Sequence, residues 1–146
     1  MIKFKSKILT YIVNFFLLIW QLPQVVICVI GLAIFKNYTK YCNEYTKVNV
    51  LAVDKGFVCG SACFSAGPII FITPCCNDIT KRHETGHSKQ SLYFGPLFLL
   101  VVAIPSVCIF WYRRLFKKSH YWYHSKWPEN HADKLAGIPN DYYSKN

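Results

Sequence analysis

The chain has 146 residues, enough for one compact unit, and is 53% hydrophobic and 17% aromatic with a formal net charge of +10. So apolar a composition excludes an ordinary soluble domain. The apolar runs direct the positive charge toward an anionic lipid surface rather than nucleic acid, for which no recognised binding motif is present.

Lys3, Lys5 and Lys7 precede an apolar stretch of 28 residues, Ile8 to Phe35, interrupted by Asn14, Gln21, Pro23 and Gln24. The start imitates a secretory signal, but the run outlasts an h-region and no A-x-A cleavage site follows. It is long enough to cross a bilayer with tilt. Pro23 removes a backbone donor and clashes with the preceding turn, so a helix must kink or break there. Gln21 and Gln24 flank the kink and either satisfy the freed carbonyls or face the protein interior. A re-entrant hairpin bent at Leu22-Pro23 is the competing shape.

The next stretch, Asn37 to Lys47, is basic and tyrosine-rich with no clean period. Residues 48–74 read as a small β-hairpin or three-stranded sheet. Its strands are Val48–Val53, Phe57–Ala66 and Ile69–Thr73, punctuated by Asp54-Lys55-Gly56, Gly67-Pro68 and Pro74. The chain holds seven cysteines and no C-x-x-C pair, which argues against a zinc ribbon. Cys28 and Cys108 lie in apolar runs and read as small hydrophobes. Cys59, Cys63, Cys75 and Cys76 read as free thiols, although an oxidising compartment would allow disulfides.

Asn77-Asp78 offers a cap for a helix over residues 79–94, ended by Gly95-Pro96. This helix carries His83-Glu84-Thr85-Gly86-His87, the H-E-x-x-H signature of zinc peptidases. Residues i and i+4 share a helix face, so both imidazoles can point at one ion. Glu84 follows the first ligand, where its carboxylate can take a proton from a water on the metal. Gly86 costs about 1 kcal/mol against alanine in a helix, which suggests close approach of another element.

Leu97 to Tyr112 is a second apolar run of 16 residues, interrupted by Pro105-Ser106 and followed by Arg113, Arg114, Lys117 and Lys118. His120 and His124 are also i and i+4, but beside Tyr121, Trp122 and Tyr123 they read as part of an interfacial aromatic belt. A short helix over 128–137 starts at Pro128 and ends at Gly137 with Pro139 as the stop. Its Glu129 and Asp133 share a face. Glu129 can complete a two-histidine, one-glutamate ligand set, while Asp133 accepts the outer N–H of a ligand histidine and fixes its tautomer. His131 reads as a solvated or packed helix residue.

The pairing of H-E-x-x-H with the later Glu129-Asn130-His131-Ala132-Asp133, an E-x-x-A-D pattern, resembles the gluzincin-type membrane zinc peptidases, the CaaX prenyl protease and HtpX family. The wording H-E-T-G-H-S-K-Q-S-L-Y-F-G-P-L with the later W-P-E-N-H-A-D-K-L-A-G-I is also similar to a family of small bacterial membrane proteins. The resemblance covers about ten residues in the two motifs. It implies zinc held by His83, His87 and Glu129, Glu84 as base and acid, and Asp133 as orienter. It also implies that Ile69, Ile70, Phe71 and Ile72, with Thr73, form the edge strand that pairs with a substrate peptide. The chain departs from the larger peptidases in its length and in having one apolar run, not two spans, between the motifs.

That single run sets a topological condition. A straight span would hold Glu129 about 30 Å of hydrocarbon away from His83 and His87. The run must therefore fold back at Pro105, lie shallow or pack as a buried helix; a re-entrant or monotopic arrangement with a sharp bend at Ile104-Pro105-Ser106 is expected, with the two proline-interrupted runs packed against each other. Lys81-Arg82 and Arg113–Lys118 then share one side, cytoplasmic by the positive-inside tendency. The expected fold is a mainly α membrane protein, one membrane-embedded domain over 1–146. It has apolar helical segments at 8–35 and 97–112 broken at Pro23 and Pro105, plus a small β region. The expected setting is a bacterial inner membrane, with the bilayer and a peptide or membrane-protein substrate as partners. The competing function is a non-catalytic membrane structural or interaction protein, with or without a structural zinc.

Overall fold

The computed structural model describes residues 5–34, 38–42, 49–53, 63–72 and 76–145. These fold as a mainly helical chain with one four-stranded sheet. Helix α1 (Lys7–Trp20) starts on Ser6, whose Oγ accepts the Leu9 N–H at 3.4 Å. It stops at Gln21, just before Pro23, and α2 (Leu22–Ile34) leaves at 89° to it. The proline ring would strike the carbonyl four residues back, so the break falls where local sterics require it. Of the two expectations for Gln21 the inward one is observed: the side chain is buried, and Nε2 donates at 3.1 Å to the Leu17 carbonyl, which already accepts the Gln21 backbone N–H and is not one that Pro23 frees.

Strands β1 (Tyr38–Cys42), β2 (Asn49–Val53), β3 (Phe64–Ala66) and β4 (Ile69–Ile72) form a sheet in the order β1-β2-β4-β3. β2 and β4 pair in parallel; the other two pairings are antiparallel. The expected hairpin at Gly67-Pro68 is present, with Gly67 at φ +66°, a left-handed conformation that glycine adopts freely. Two expectations are corrected. β1 is a strand although its sequence shows no clean period, because pairing with β2 supplies the order that periodicity does not. More consequentially, Ile69–Ile72 is not an edge. It lies between β2 and β3, with both backbone rims paired, and cannot accept a substrate strand. The expected turn at Asp54-Lys55-Gly56, residues 57–62 of the expected second strand, and Thr73-Pro74 lie outside the described residues.

The sheet sits between α2 and helix α3 (Asp78–Phe94). Phe71 and Ile69 pack with Cys28, Leu32 and Ala66 on the α2 side, and Phe71 stacks on Phe64 at 4.7 Å between ring centroids. Ile70 and Ile72 point to the opposite face, as strand alternation demands, and pack with Cys76 and Cys63. Cys63 and Cys76 are joined as a disulfide, correcting the expectation of free thiols at these two positions. It staples the start of β3 to the residue before the α3 cap. Cys28 and Cys108 are free, and Cys59 and Cys75 lie outside the described residues.

α3 is capped by Asn77, whose side-chain oxygen accepts the Thr80 N–H at 2.8 Å, and it ends at Gly95 with φ +50°. A side chain at Gly95 would collide with the Trp20 ring. The α1–α2 elbow grips this end of α3. The Trp20 indole donates to the Leu92 carbonyl at 3.0 Å, the Ser91 hydroxyl donates to Gln21 Oε1 at 2.6 Å, and Gln24 Nε2 donates to the Gly95 carbonyl at 2.5 Å.

A 3₁₀ turn (Gly95–Leu97) and a π turn (Leu99–Ala103) lead into α4 (Ile104–Leu115). Here the expected sharp bend at Pro105 is absent. The π turn bonds the Ile104 N–H to the Leu99 carbonyl, one residue further back than an α turn. Pro105 then falls in the first turn of α4, where its missing donor costs nothing. The chain turns back at Phe116–Ser119 instead, through Lys117 at φ +49°, into α5 (His120–His124). Tyr112 stacks on Trp122 and Phe110 meets Tyr123 edge-on across this return. α6 (Glu129–Ala136) follows and ends in a Schellman arrangement at Gly137, φ +70°, with the Ile138 N–H donating to the Asp133 carbonyl. α7 (Tyr142–Lys145) closes the described chain.

Candidate metal centre

α6 lies along the middle of α3, and glycine lets it approach. A Cβ at Gly86 would overlap the backbone carbonyl of Ala132. The expected reason for a glycine between the two histidines is therefore observed. Basic side chains of α3 complete the contact. Arg82 Nη2 donates to the Ala136 and Gly137 carbonyls at 3.2 and 3.0 Å, and Lys89 Nζ to the Leu135 carbonyl at 2.6 Å. These groups satisfy the open carbonyls at the C-terminus of α6, where positive charge is favoured.

The contact brings His83, His87 and Glu129 together although 42 residues separate the last two. His83 Nε2 lies 2.8 Å from Glu129 Oε2 and 3.1 Å from His87 Nε2, and His87 Nε2 lies 3.3 Å from the same oxygen. Tetrahedral ligands about 2.0–2.1 Å from one zinc stand about 3.3 Å apart. The triangle of acceptor atoms is thus slightly tighter than a loaded site and of the right size to hold an ion. Asp133 Oδ1 meets His83 Nδ1 at 2.7 Å, leaving Nε2 for the triangle, the relation expected of an orienting carboxylate.

The electrostatics are those of a buried cluster in need of positive charge. Glu129 is fully buried, and its Oε1 makes no hydrogen bond within 3.5 Å, although the Tyr123 hydroxyl interacts with the carboxylate. Burial alone would raise Glu129, but His87 and His83 outweigh it and hold its carboxyl well below the usual range. Burial would lower His83, yet the Asp133 and Glu129 carboxylates overcome that and lift it to about 10. Without a metal, a proton on His83 supplies the positive charge. Glu84 is also buried, which raises its carboxyl to about 7 against the pull of His87 and His83, and it accepts a backbone hydrogen bond from Ser65 on β3. The edge strand beside the site is therefore β3, not the expected Ile69–Ile72. Ser65 and Ser88 share a hydrogen bond at 2.8 Å that ties β3 to α3.

Two further residues belong to this centre. His124, read from sequence as interfacial, places Nδ1 2.8 Å from Asp133 Oδ2 and its ring 4.9 Å from that of His83. His83, His124 and Asp133 form a second group whose ligand atoms lie close enough to hold an ion, sharing His83 with the first. The packing of His124 on Tyr143, 3.6 Å between nearly parallel rings, is of a kind sequence spacing does not signal. Gln90 places Oε1 2.7 Å from His87 Nδ1. Its signal was present, since a residue three after a ligand shares its face. His120 stacks on His124 but joins neither group, and His131 packs on Trp127. No protein-family model matches the chain, and no curated protein or solved structure matches it.

Proposed function

We propose that this chain is a membrane-attached zinc metallopeptidase, with His83, His87 and Glu129 as zinc ligands and Glu84 as general base. The observation that carries this reading is the buried triangle of His83 Nε2, His87 Nε2 and Glu129 Oε2, beside a Glu129 oxygen that makes no hydrogen bond within 3.5 Å. Two imidazoles and one carboxylate suit zinc, whereas calcium and magnesium prefer all-oxygen sites. Zinc bound there supplies an activated water and a Lewis acid for a peptide carbonyl. Glu84, buried and one residue after the first ligand, is the group to take a proton from that water and return it to the leaving amine. Asp133 holds His83 with its Nε2 turned inward.

Membrane attachment rests on apolar surface. Among the described residues no single helix is long and apolar enough to cross a bilayer, but the bent α1–α2 pair passes by length and composition together. Phe15, Phe16 and Val29 on that pair, and Leu100, Ile104 and Val107 across the π turn and α4, are exposed. Lys7 and Arg113, Arg114, Lys117 and Lys118 stand at the ends of these segments, as anionic headgroups favour. The Cys63–Cys76 disulfide favours an oxidising compartment for the site over the cytoplasmic side that the basic clusters suggest.

A second reading, a non-catalytic membrane protein with a structural zinc, draws on the burial of the whole set. His83, Glu84, His87 and Glu129 are 5%, 7%, 7% and 0% exposed. Metal analysis and peptide hydrolysis of the detergent-purified protein separate the two. Glu84→Gln is expected to keep one zinc and lose activity by about 10²–10⁴-fold, and His87→Ala to lose both. Zinc without hydrolysis of any peptide or membrane-protein substrate leaves the structural reading. A wild-type protein that holds no zinc removes both.

A further inference from the structure

Resting on the metal reading above, we propose that Gln90 is the positioning residue of His87, as Asp133 is of His83, and that it spaces the two ligand-bearing helices. Gln90 is fully buried, and its amide faces three partners: His87 Nδ1 at 2.7 Å, the Pro128 carbonyl at 3.0 Å and His131 Nδ1 at 3.0 Å.

A carbonyl only accepts, so the amide NH₂ must face Pro128, and its second hydrogen then reaches His131 Nδ1. Oε1 is left for His87, which must carry its proton on Nδ1. The lone pair of His87 is thereby placed on Nε2, the atom 3.3 Å from Glu129 Oε2. No other orientation of the amide satisfies all three partners, so the His87 tautomer is set by a carbonyl 41 residues away. That carbonyl immediately precedes Glu129. One amide thus fixes both the ring that offers one ligand atom and the entry of the helix that offers another.

The two ligand histidines differ in consequence. His83 leans on a carboxylate and His87 on a neutral amide. Neutrality suits Gln90, because a third carboxylate beside Glu129 and Asp133 would add buried negative charge and oppose the Pro128 carbonyl.

Histidine ring ¹⁵N shifts of the metal-free wild-type protein, with His87 assigned by loss of its signal in His87→Ala, test the tautomer directly and need neither zinc nor activity. The expected result is a proton on Nδ1 of His87; an Nδ1 without a proton overturns the proposal. Zinc affinity is then measured by chelator competition, with unfolding of the metal-free protein followed in parallel. Gln90→Leu is expected to weaken zinc by about 10–100-fold and to change the visible spectrum of the cobalt-substituted site. Gln90→Glu, which keeps the acceptor for His87, is expected to recover part of that loss. Wild-type affinity in Gln90→Leu, or a stability loss with affinity unchanged, overturns it. A wild-type protein that binds no zinc defeats the peptidase reading but leaves the tautomer measurement decisive.

Discussion

The middle of α3 buries ionisable side chains against α6, whereas its C-terminal end buries the neutral amides of Gln21 and Gln24 at the α1–α2 elbow. Each cluster leaves one oxygen without a hydrogen bond, Glu129 Oε1 in the first and Gln24 Oε1 in the second. The two orphans are unequal. An unpaired neutral amide oxygen costs about 1–3 kcal/mol, which a folded chain can carry. A buried carboxylate costs several kcal/mol even after relaxation unless positive charge faces it. The elbow is therefore complete as a structural clamp, with Trp20, Gln21 and Gln24 engaging Leu92, Ser91 and Gly95. The middle cluster is complete only with a cation, supplied by a proton on His83 or by a metal in its place. The same helix thus carries one cluster that needs a positive charge and one that does not.

The largest test removes the charged member. Glu129→Ala should weaken zinc by about 10²–10³-fold, an even share of the 10–16 kcal/mol that structural zinc sites supply among about four ligands. Competition with a chelator measures it, and wild-type affinity would erase the contrast between the clusters. Gly86→Ala comes next. Its methyl would meet the Ala132 backbone, which cannot swing aside as a flexible side chain can. A loss of about 1–3 kcal/mol is expected from overpacking, despite about 1 kcal/mol of helix propensity gained. Urea unfolding in detergent should show that loss with and without zinc, and zinc affinity should fall as the helices part.

A pH series sharpens the comparison in the metal-free protein. His83 is raised from 6.5 to about 10, so the stability its imidazolium contributes is full below about pH 6.5 and lost as pH rises through about 10. Glu84, raised from 4.5 to about 7, acts in the same direction over its own range. Glu129 and Asp133 are lowered, so the stability they carry is present above their ordinary values and lost in acid. Urea midpoints should therefore fall from about pH 6 to about pH 9, and bound zinc should flatten that fall by replacing the proton. An alkaline slope unchanged by zinc would mean that the ion is not held at His83.

The smallest effect belongs to the elbow. Gln24→Leu leaves the Gly95 carbonyl without its donor and also removes the orphaned Oε1, so a loss of about 1 kcal/mol is expected. Zinc affinity should not change. A large shift in affinity would show that the two ends of α3 are coupled rather than independent.

The sequence by itself determined whatever depends on neighbours along the chain. Asn77 and Gly95 bound α3, Pro23 ends α1, Gly137 ends α6, and the spacings of H-E-T-G-H and of Glu129 with Asp133 put each pair on one helical face. Gly86 pointed to a close partner because a glycine in a helix has an energetic cost that something must offset. Tertiary structure decided everything that rests on which elements meet. Ile69–Ile72 reads as an ideal strand in any sheet position, and only pairing on both sides placed it in the interior. Pro105 breaks a helix by its own sterics, yet the π turn before it moved it to a position where a missing donor is harmless. The return at Phe116–Ser119, not at the proline, brings Glu129 back to His83. His124 and Gln90 acquired their partners in the same way, from a carboxylate 9 residues and a backbone carbonyl 38 residues distant. Backbone sterics and helical periodicity act over a few residues and are written in the chain. Strand order, helix contact and the satisfaction of buried polar groups are settled only when distant segments compete for the same partners.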